Sequence, residues 1–228
     1  MNDFAYIALI IAGLLFAVLF LLSMGKRIGF AKKWKPLATS IAIMNVIFLI
    51  IELIFLGVNV WWFNNDYISG IFVFKNIPIE RLLSFIIIPI CCVLVYEYLK
   101  YEIPKLKLQA LSFWITIILG STTLYLAAVN ADRLYTFVFM IFASTIVFWQ
   151  IFYGNHKTWL THFYLMLLIA LIPFTIVNGV HTSLPIVIFS EQEIMNVKFC
   201  TIPAEDFIYF LVMVFMVVML YEPLKQHN

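Results

Sequence analysis

Long apolar runs broken by short polar clusters set the pattern of this chain. A helix needs about 20 mostly apolar residues to cross a bilayer. Seven stretches reach that length, roughly 4–24, 37–57, 78–99, 108–129, 134–153, 159–178 and 203–222. They predict an all-α integral membrane protein with seven transmembrane helices. The first stretch has no basic segment before it, and Lys26 and Arg27 follow it where a cleavage site would need small residues. It therefore reads as a retained span rather than a signal peptide. Composition agrees: of 228 residues, 64% are hydrophobic and 11% charged, against about 25% charged in a soluble domain. The net charge of +2 leaves no basic surface for nucleic acid.

The sparse charges carry the remaining information. Lys26, Arg27, Lys32, Lys33, Lys35, Lys100, Lys105, Lys107, Lys157 and Lys225 fall in alternate connections, whereas Lys75, Arg81, Arg133 and Lys198 lie near the others. This bias orients the N-terminus outside and the C-terminus in the cytoplasm, with a bacterial cytoplasmic membrane as the expected location.

One segment recurs. Ile77-Pro78-Ile79-Glu80 through Phe85 to Tyr96-Glu97-Tyr98-Leu99-Lys100 returns as Ile202-Pro203-Ala204-Glu205 through Phe210 to Tyr221-Glu222-Pro223-Leu224-Lys225, at a constant offset of 125 (202 − 77). Because the repeated helices are spans three and seven, the chain divides into two parallel three-helix repeats, 1–100 and 133–228, joined by a linking helix within 101–132. In this 3+1+3 plan the pseudo-two-fold axis runs along the membrane normal. Val58–Asn76 and Gly179–Thr201 precede the repeated helices and are expected to form re-entrant or surface loops that roof a cavity.

Ionisable groups inside a membrane are costly and usually face a bundle interior. Glu80 and Glu205 lie one turn inside their spans, with Glu52 at a similar depth and Asp206 as a fourth acid. Arg81 is a candidate partner for them, and Asn45, Asn178, His181 and Tyr209 supply hydrogen-bonding groups nearby. Crowded carboxyl groups in apolar surroundings suit proton donation near neutrality. A plainer reading is also open: with Pro78 and Pro203 at the first helical position, Glu80 and Glu205 become third-position caps. At the cytoplasmic ends Glu97 and Glu222 stand beside Lys100 and Lys225 as interfacial ion pairs. His156, His162 and His227 read as structural, and Asn178-Gly179 as a helix end.

Cys91, Cys92 and Cys200 are expected to be free thiols, with no metal site. The chain shows no Gly-rich nucleotide loop and no Gly-x-Ser-x-Gly elbow, so no cofactor is expected. No lysine lies between Pro203 and Tyr221, which argues against a retinal Schiff base in the last span.

The doubled Pro-x-Glu helix start, with Glu205-Asp206 in the second copy, resembles the small integral-membrane lycopene cyclases. Asn65-Asp66-Tyr67-Ile68-Ser69-Gly70-Ile71 before the first copy and Pro173-Phe174 to Val177-Asn178-Gly179 before the second extend the likeness. These are the bacterial heterodimeric cyclases and their fused form, related to the cyclase domain of fungal bifunctional carotenoid enzymes. The resemblance implies a redox-neutral isomerisation by an intramolecular lyase. An acid protonates the terminal double bond of lycopene or a related polyene, the cation closes a β-ionone ring, and a base removes a proton. It implies Glu205, Asp206, Glu80 and Glu52 as the catalytic acids; Arg81 beside Glu80 would hold that carboxylate ionised, which suits Glu80 to stabilise the cation and leaves Glu205 with Asp206 to protonate. The substrate contacts expected with it are Trp61, Trp62, Asn65, Tyr67, Asn178, His181 and Tyr209. A lipid-soluble polyene and membrane lipids are the expected partners, and self-association into a homo-oligomer is open. Arg81 departs from the pattern, since the family usually carries a second acid there. Two rival readings follow, a non-catalytic carotenoid-binding relative and a small 3+1+3 transporter.

Overall fold

The computed structural model describes residues 29–74, 76–153 and 159–226. After a short 3-10 turn, Phe30–Lys33, come six helices: α1 (Trp34–Gly57), α2 (Ile79–Glu102), α3 (Gln109–Val129), α4 (Leu134–Tyr153), α5 (Leu160–Ser183) and α6 (Ala204–Gln226). All six are long and apolar enough to cross a membrane. The expected first span, 4–24, lies outside the described residues, as do Lys26, Arg27, Lys75, His156, Lys157 and His227.

The helices divide by surroundings. α6 is apolar nearly all round and sits centrally, with Val212, Val214, Phe215, Val217 and Val218 fully buried between α1 and α4. α3 lies at the edge, packed mainly on α4, and leaves Leu111, Trp114, Ile118 and Tyr125 exposed. An apolar outer surface of that kind belongs in lipid. Gly120 permits the close α3–α4 approach, because a Cβ there would come within 3.1 Å of both Val147 and Phe148. Hydroxyls fasten α3 to α5, Ser112 Oγ donating to Thr161 Oγ1 at 2.9 Å and Thr116 Oγ1 bonding Tyr164 Oη at 2.7 Å.

At one end of the bundle the chain forms three two-stranded ribbons. β1 (Trp61–Phe63) pairs antiparallel with β4 (Val187–Phe189), β2 (Phe72–Phe74) with β3 (Ile77–Pro78), and β5 (Lys198–Phe199) with β6 (Ile202–Pro203). The expected loops are thus partly paired backbone, which satisfies their amides near the membrane. The β1–β4 ribbon is self-similar. Asn64 N–H donates to the Ile186 carbonyl at 3.0 Å and Ser190 N–H to the Val60 carbonyl at 2.8 Å, and both 190 − 64 and 186 − 60 equal 126. The opposite, basic end is tied by crossed ion pairs. Lys100 Nζ reaches Glu222 at 2.9 Å and Lys225 Nζ reaches Glu97 at 2.6 Å, Lys33 also bonds Glu97, and Tyr96 Oη donates to Glu222 at 2.8 Å. The expected pairs between chain neighbours are therefore largely exchanged between α2 and α6, and both carboxylates are buried.

Two helix boundaries differ from the sequence reading. α5 runs on through Asn178-Gly179 to Ser183, because Gly179 keeps helical backbone and Thr182 Oγ1 donates back to the Asn178 carbonyl at 3.0 Å. Pro78 and Pro203 lie in extended strands just before their helices rather than in the first turn, as the missing proline N–H allows.

Candidate active site

The acids of the two Ile-Pro-x-Glu segments share one local role. Glu80 Oε1 accepts the Ser69 N–H at 2.7 Å, and Glu205 Oε1 accepts the Met195 N–H together with the Thr136 hydroxyl at 2.6 Å. Each carboxylate reaches back to the loop before it rather than capping its own helix, and so ties the ribbon to the helix start. In each, Oε2 is buried and has no partner among the described residues. Glu205 is fully buried.

One residue further on, the halves diverge. Arg81 Nε and Nη2 donate to the two Glu52 oxygens at 2.9 and 3.3 Å, and its guanidinium carbon lies 5.0 Å from the Phe85 ring centroid and 5.1 Å from that of Tyr209. Arg81 thus pairs with Glu52 across helices, not with its neighbour Glu80. Asp206 instead accepts from the Tyr135 hydroxyl at 2.7 Å and from the Asn178 amide at 2.8 Å. With one donor on each oxygen, the orientation of the carboxyl group is fixed. Tyr209 Oη lies 3.5 Å from Glu52 Oε2, a long contact.

These groups head a cavity of about 280 Å³ between α2, α5 and α6, close to the small end of ligand pockets. Its head is polar, formed by Arg81, Asp206, Tyr135, Tyr209, Asn178 and His181, and Trp61 and Phe189 of the β1–β4 ribbon roof it. Towards the bundle centre the walls become apolar, with Ile88, Val95, Ala170, Phe174, Phe210 and Met213 among them, and Cys91 and Cys92 as unbridged thiols. The head is dense in rings. Trp61 meets Tyr135 edge-on at 5.1 Å, and Tyr135 stacks on Phe189 at 5.5 Å. A wall of this form accepts a narrow apolar chain and brings its leading end against a carboxyl group, aromatic faces and a guanidinium.

Of the residues expected to be catalytic, Asp206 lines the cavity, Glu52 stands behind Arg81, and Glu205 and Glu80 hold the loops. Of the expected substrate contacts, Trp61, Asn178, His181 and Tyr209 line it. Trp62 does not, because alternation along β1 turns Trp61 inward and leaves Trp62 44% exposed. Asn65 and Tyr67 lie in the turn after β1, away from the cavity. Asn45 sits on α1 outside the cavity, its Oδ1 buried without a described partner. Among the described residues no cluster of His, Cys, Asp and Glu has a metal-holding arrangement.

Tyr135, Thr136, Ser84 and Thr182 were not among the expected site residues. The available signal was depth: Tyr135-Thr136 open α4 at the ribbon end, level with the acids that open α2 and α6. Glu193 fixes that opening by accepting the Leu134 N–H at 2.8 Å, an acid at a helix N-terminus.

The fold and site define an integral-membrane helical bundle with a cavity that is polar at its head and apolar along its walls. The lycopene cyclase family model matches residues 4–99 and 132–224, most of the chain, and the chain belongs to that family. The two matched stretches each end near a repeated Tyr-Glu-x-Leu-Lys segment. No curated protein and no solved structure matches it.

Proposed function

We propose that the protein closes β-ionone rings on the linear ends of lycopene or a related carotenoid, as an intramolecular lyase. Asp206 at the head of an apolar cavity is the observation that carries this reading. In this mechanism one polyene end enters between α2 and α5, and the Asp206 carboxylic acid gives its proton to the terminal double bond. The carbon cation is attacked by a double bond further along the chain, which forms the ring's carbon–carbon bond. The Asp206 carboxylate left behind is held by the Tyr135 hydroxyl and the Asn178 amide, the groups that already bond it. It then removes a proton from the ring, so protons and electrons balance and no redox partner is consumed. Aromatic faces from Trp61, Tyr135 and Tyr209 stabilise the cation, and the apolar walls keep water from trapping it. Glu205, one residue earlier, acts as a positioning residue by fixing the start of α6.

The same reading takes the ribbon end as the outer side of a bacterial cytoplasmic membrane, with two parallel repeats and a seventh helix ahead of α1. The recurrence of ribbon hydrogen bonds at an offset of 126 supports the repeats, and the lysine-rich opposite end supports the orientation. Expression in a lycopene-accumulating bacterium, with pigments resolved by chromatography and absorption, tests the function. Ring-bearing products are expected from the native chain, and linear lycopene alone from Asp206→Asn. Ring formation by that variant would defeat the assignment.

One observation favours a second reading, a non-catalytic polyene-binding relative. Arg81 brings a guanidinium to the cavity where a cation would form, and like charges repel. Unchanged lycopene co-purifying with the folded native chain would select this reading.

A further inference from the structure

The head of the cavity is more polar than a hydrocarbon needs. Arg81 lines the cavity and uses only Nε and Nη2, on Glu52, leaving donors of its five-donor guanidinium without a side-chain partner among the described residues. His181 lines the same head, and no described side chain or backbone group hydrogen-bonds its ring. Asn178 gives its amide N–H to Asp206 and retains an oxygen; the rim hydroxyls of Ser84 and Thr182 are already engaged, on the Arg81 carbonyl at 2.7 Å and on the Asn178 carbonyl and Thr201 Oγ1. A purely hydrocarbon end would strip water from the Arg81 guanidinium, the His181 ring and the Asn178 oxygen and return no hydrogen bond to any of them, which is the expensive outcome for buried polar atoms. The walls deeper in the cavity carry no comparable groups.

We infer that the cavity is built for a linear polyene whose entering end carries a neutral oxygen function, a hydroxyl or a carbonyl, with Arg81 and His181 as its hydrogen-bond partners. This inference rests on the reading that the cavity receives a polyene end, and it narrows the substrate class. The charge balance argues for neutrality. The Arg81 guanidinium is already matched by Glu52, buried behind it at 1% side-chain exposure, so a carboxylate on the ligand would add an unmatched charge beside Asp206. A hydroxyl or carbonyl oxygen accepts from Arg81 or His181 without that penalty, and a hydroxyl can also donate to the Asn178 oxygen. The corresponding place in the other half supports a specific role for His181: 126 residues earlier, the α1 helix has Phe55, which is buried against Trp61 at 4.9 Å. The imidazole therefore stands where the other half has a ring of pure carbon.

The test uses the full chain reconstituted in lipid nanodiscs. It is offered either lycopene or a linear polyene of the same length with one terminal hydroxyl, and the retained pigment is measured by absorption after gel filtration and by chromatography for rings. The native chain is expected to retain the hydroxylated polyene at least about tenfold better, since a site built to bond a hydroxyl discriminates strongly against its absence. His181→Phe and the paired change Glu52→Leu with Arg81→Met are each expected to reduce that preference, the single change serving if the double variant does not fold. Equal or better retention of lycopene by the native chain, with ring formation, overturns this inference and leaves the cyclase reading intact. Retention of neither polyene overturns both.

Discussion

Residue 81 and residue 206 stand 125 positions apart on the repeated segment, and their surroundings are built alike. A helix start carries a glutamate that ties down the preceding loop, and a neighbouring helix offers Glu52 in one case and Asn178 in the other. The outcomes are opposite. In the first half both members are charged, and arginine and glutamate neutralise each other across α1 and α2. In the second, one carboxylate is held by two neutral donors, Tyr135 and Asn178, so its charge depends on a single proton. One frame therefore yields a closed ion pair and an open acid. The difference lies in the side chains at 81/206 and 52/178 and in the Tyr135 hydroxyl that meets Asp206.

The largest expected break in this comparison is at Asp206. Asp206→Asn removes the exchangeable proton, and ring formation in a lycopene-accumulating host should fall by roughly 100-fold or more, within the range that general acid–base catalysis contributes. Next in size is the ion pair. Arg81→Ala leaves Glu52 buried and unpaired, and the loss of stability should be about 3–5 kcal/mol, whereas Glu52→Leu with Arg81→Met should stay within about 1 kcal/mol of the native chain. Reversible denaturation in detergent measures both, and equal effects for the two would show that the pair is solvated. A smaller effect is expected for Tyr135→Phe, which removes one charge-assisted hydrogen bond worth about 1.5–3 kcal/mol. Ring formation should drop roughly tenfold or more while substrate retention is unchanged, so a pure binding defect would contradict an orienting role. The smallest concerns the basic end. Lys100→Met leaves Glu222 with Lys225 and the Tyr96 hydroxyl, and should cost under about 2 kcal/mol with product ratios unaltered, as a partly exposed ion pair implies.

The helical frame was legible because an apolar run of about 20 residues has little else to become than a membrane-spanning helix. The expected spans from 37 onward agree with helices α1 to α6 to within a few residues, apart from the end of α5. The depth of the acids was legible for the same reason, since buried charge stands out in apolar sequence. Pairing was not. Arg81 is adjacent to Glu80 in the chain, yet helix geometry sends it across to Glu52, 29 residues away. Tyr135 is one of 11 tyrosines, and nothing local marks it as the partner of Asp206. The β1–β4 ribbon joins strands of three residues from distant parts of the chain, too short for alternation to reveal. α5 passed its apparent stop because a glycine ends a helix only when its backbone turns left-handed, and Gly179 does not.

The arrangement of charged partners also bears on how the protein is made. Arg81 and Glu52 belong to neighbouring helices and can neutralise each other as soon as α2 leaves the ribosome and enters the bilayer. Glu97 has Lys33, made before α1, as its first partner, whereas Lys100 finds Glu222 only on α6, which at ordinary translation rates emerges on the order of ten seconds later. The Arg81–Glu52 pair is thus matched within its own hairpin, and the lysine left waiting for the last helix sits at the basic end, where water and lipid headgroups can hold it until synthesis is complete.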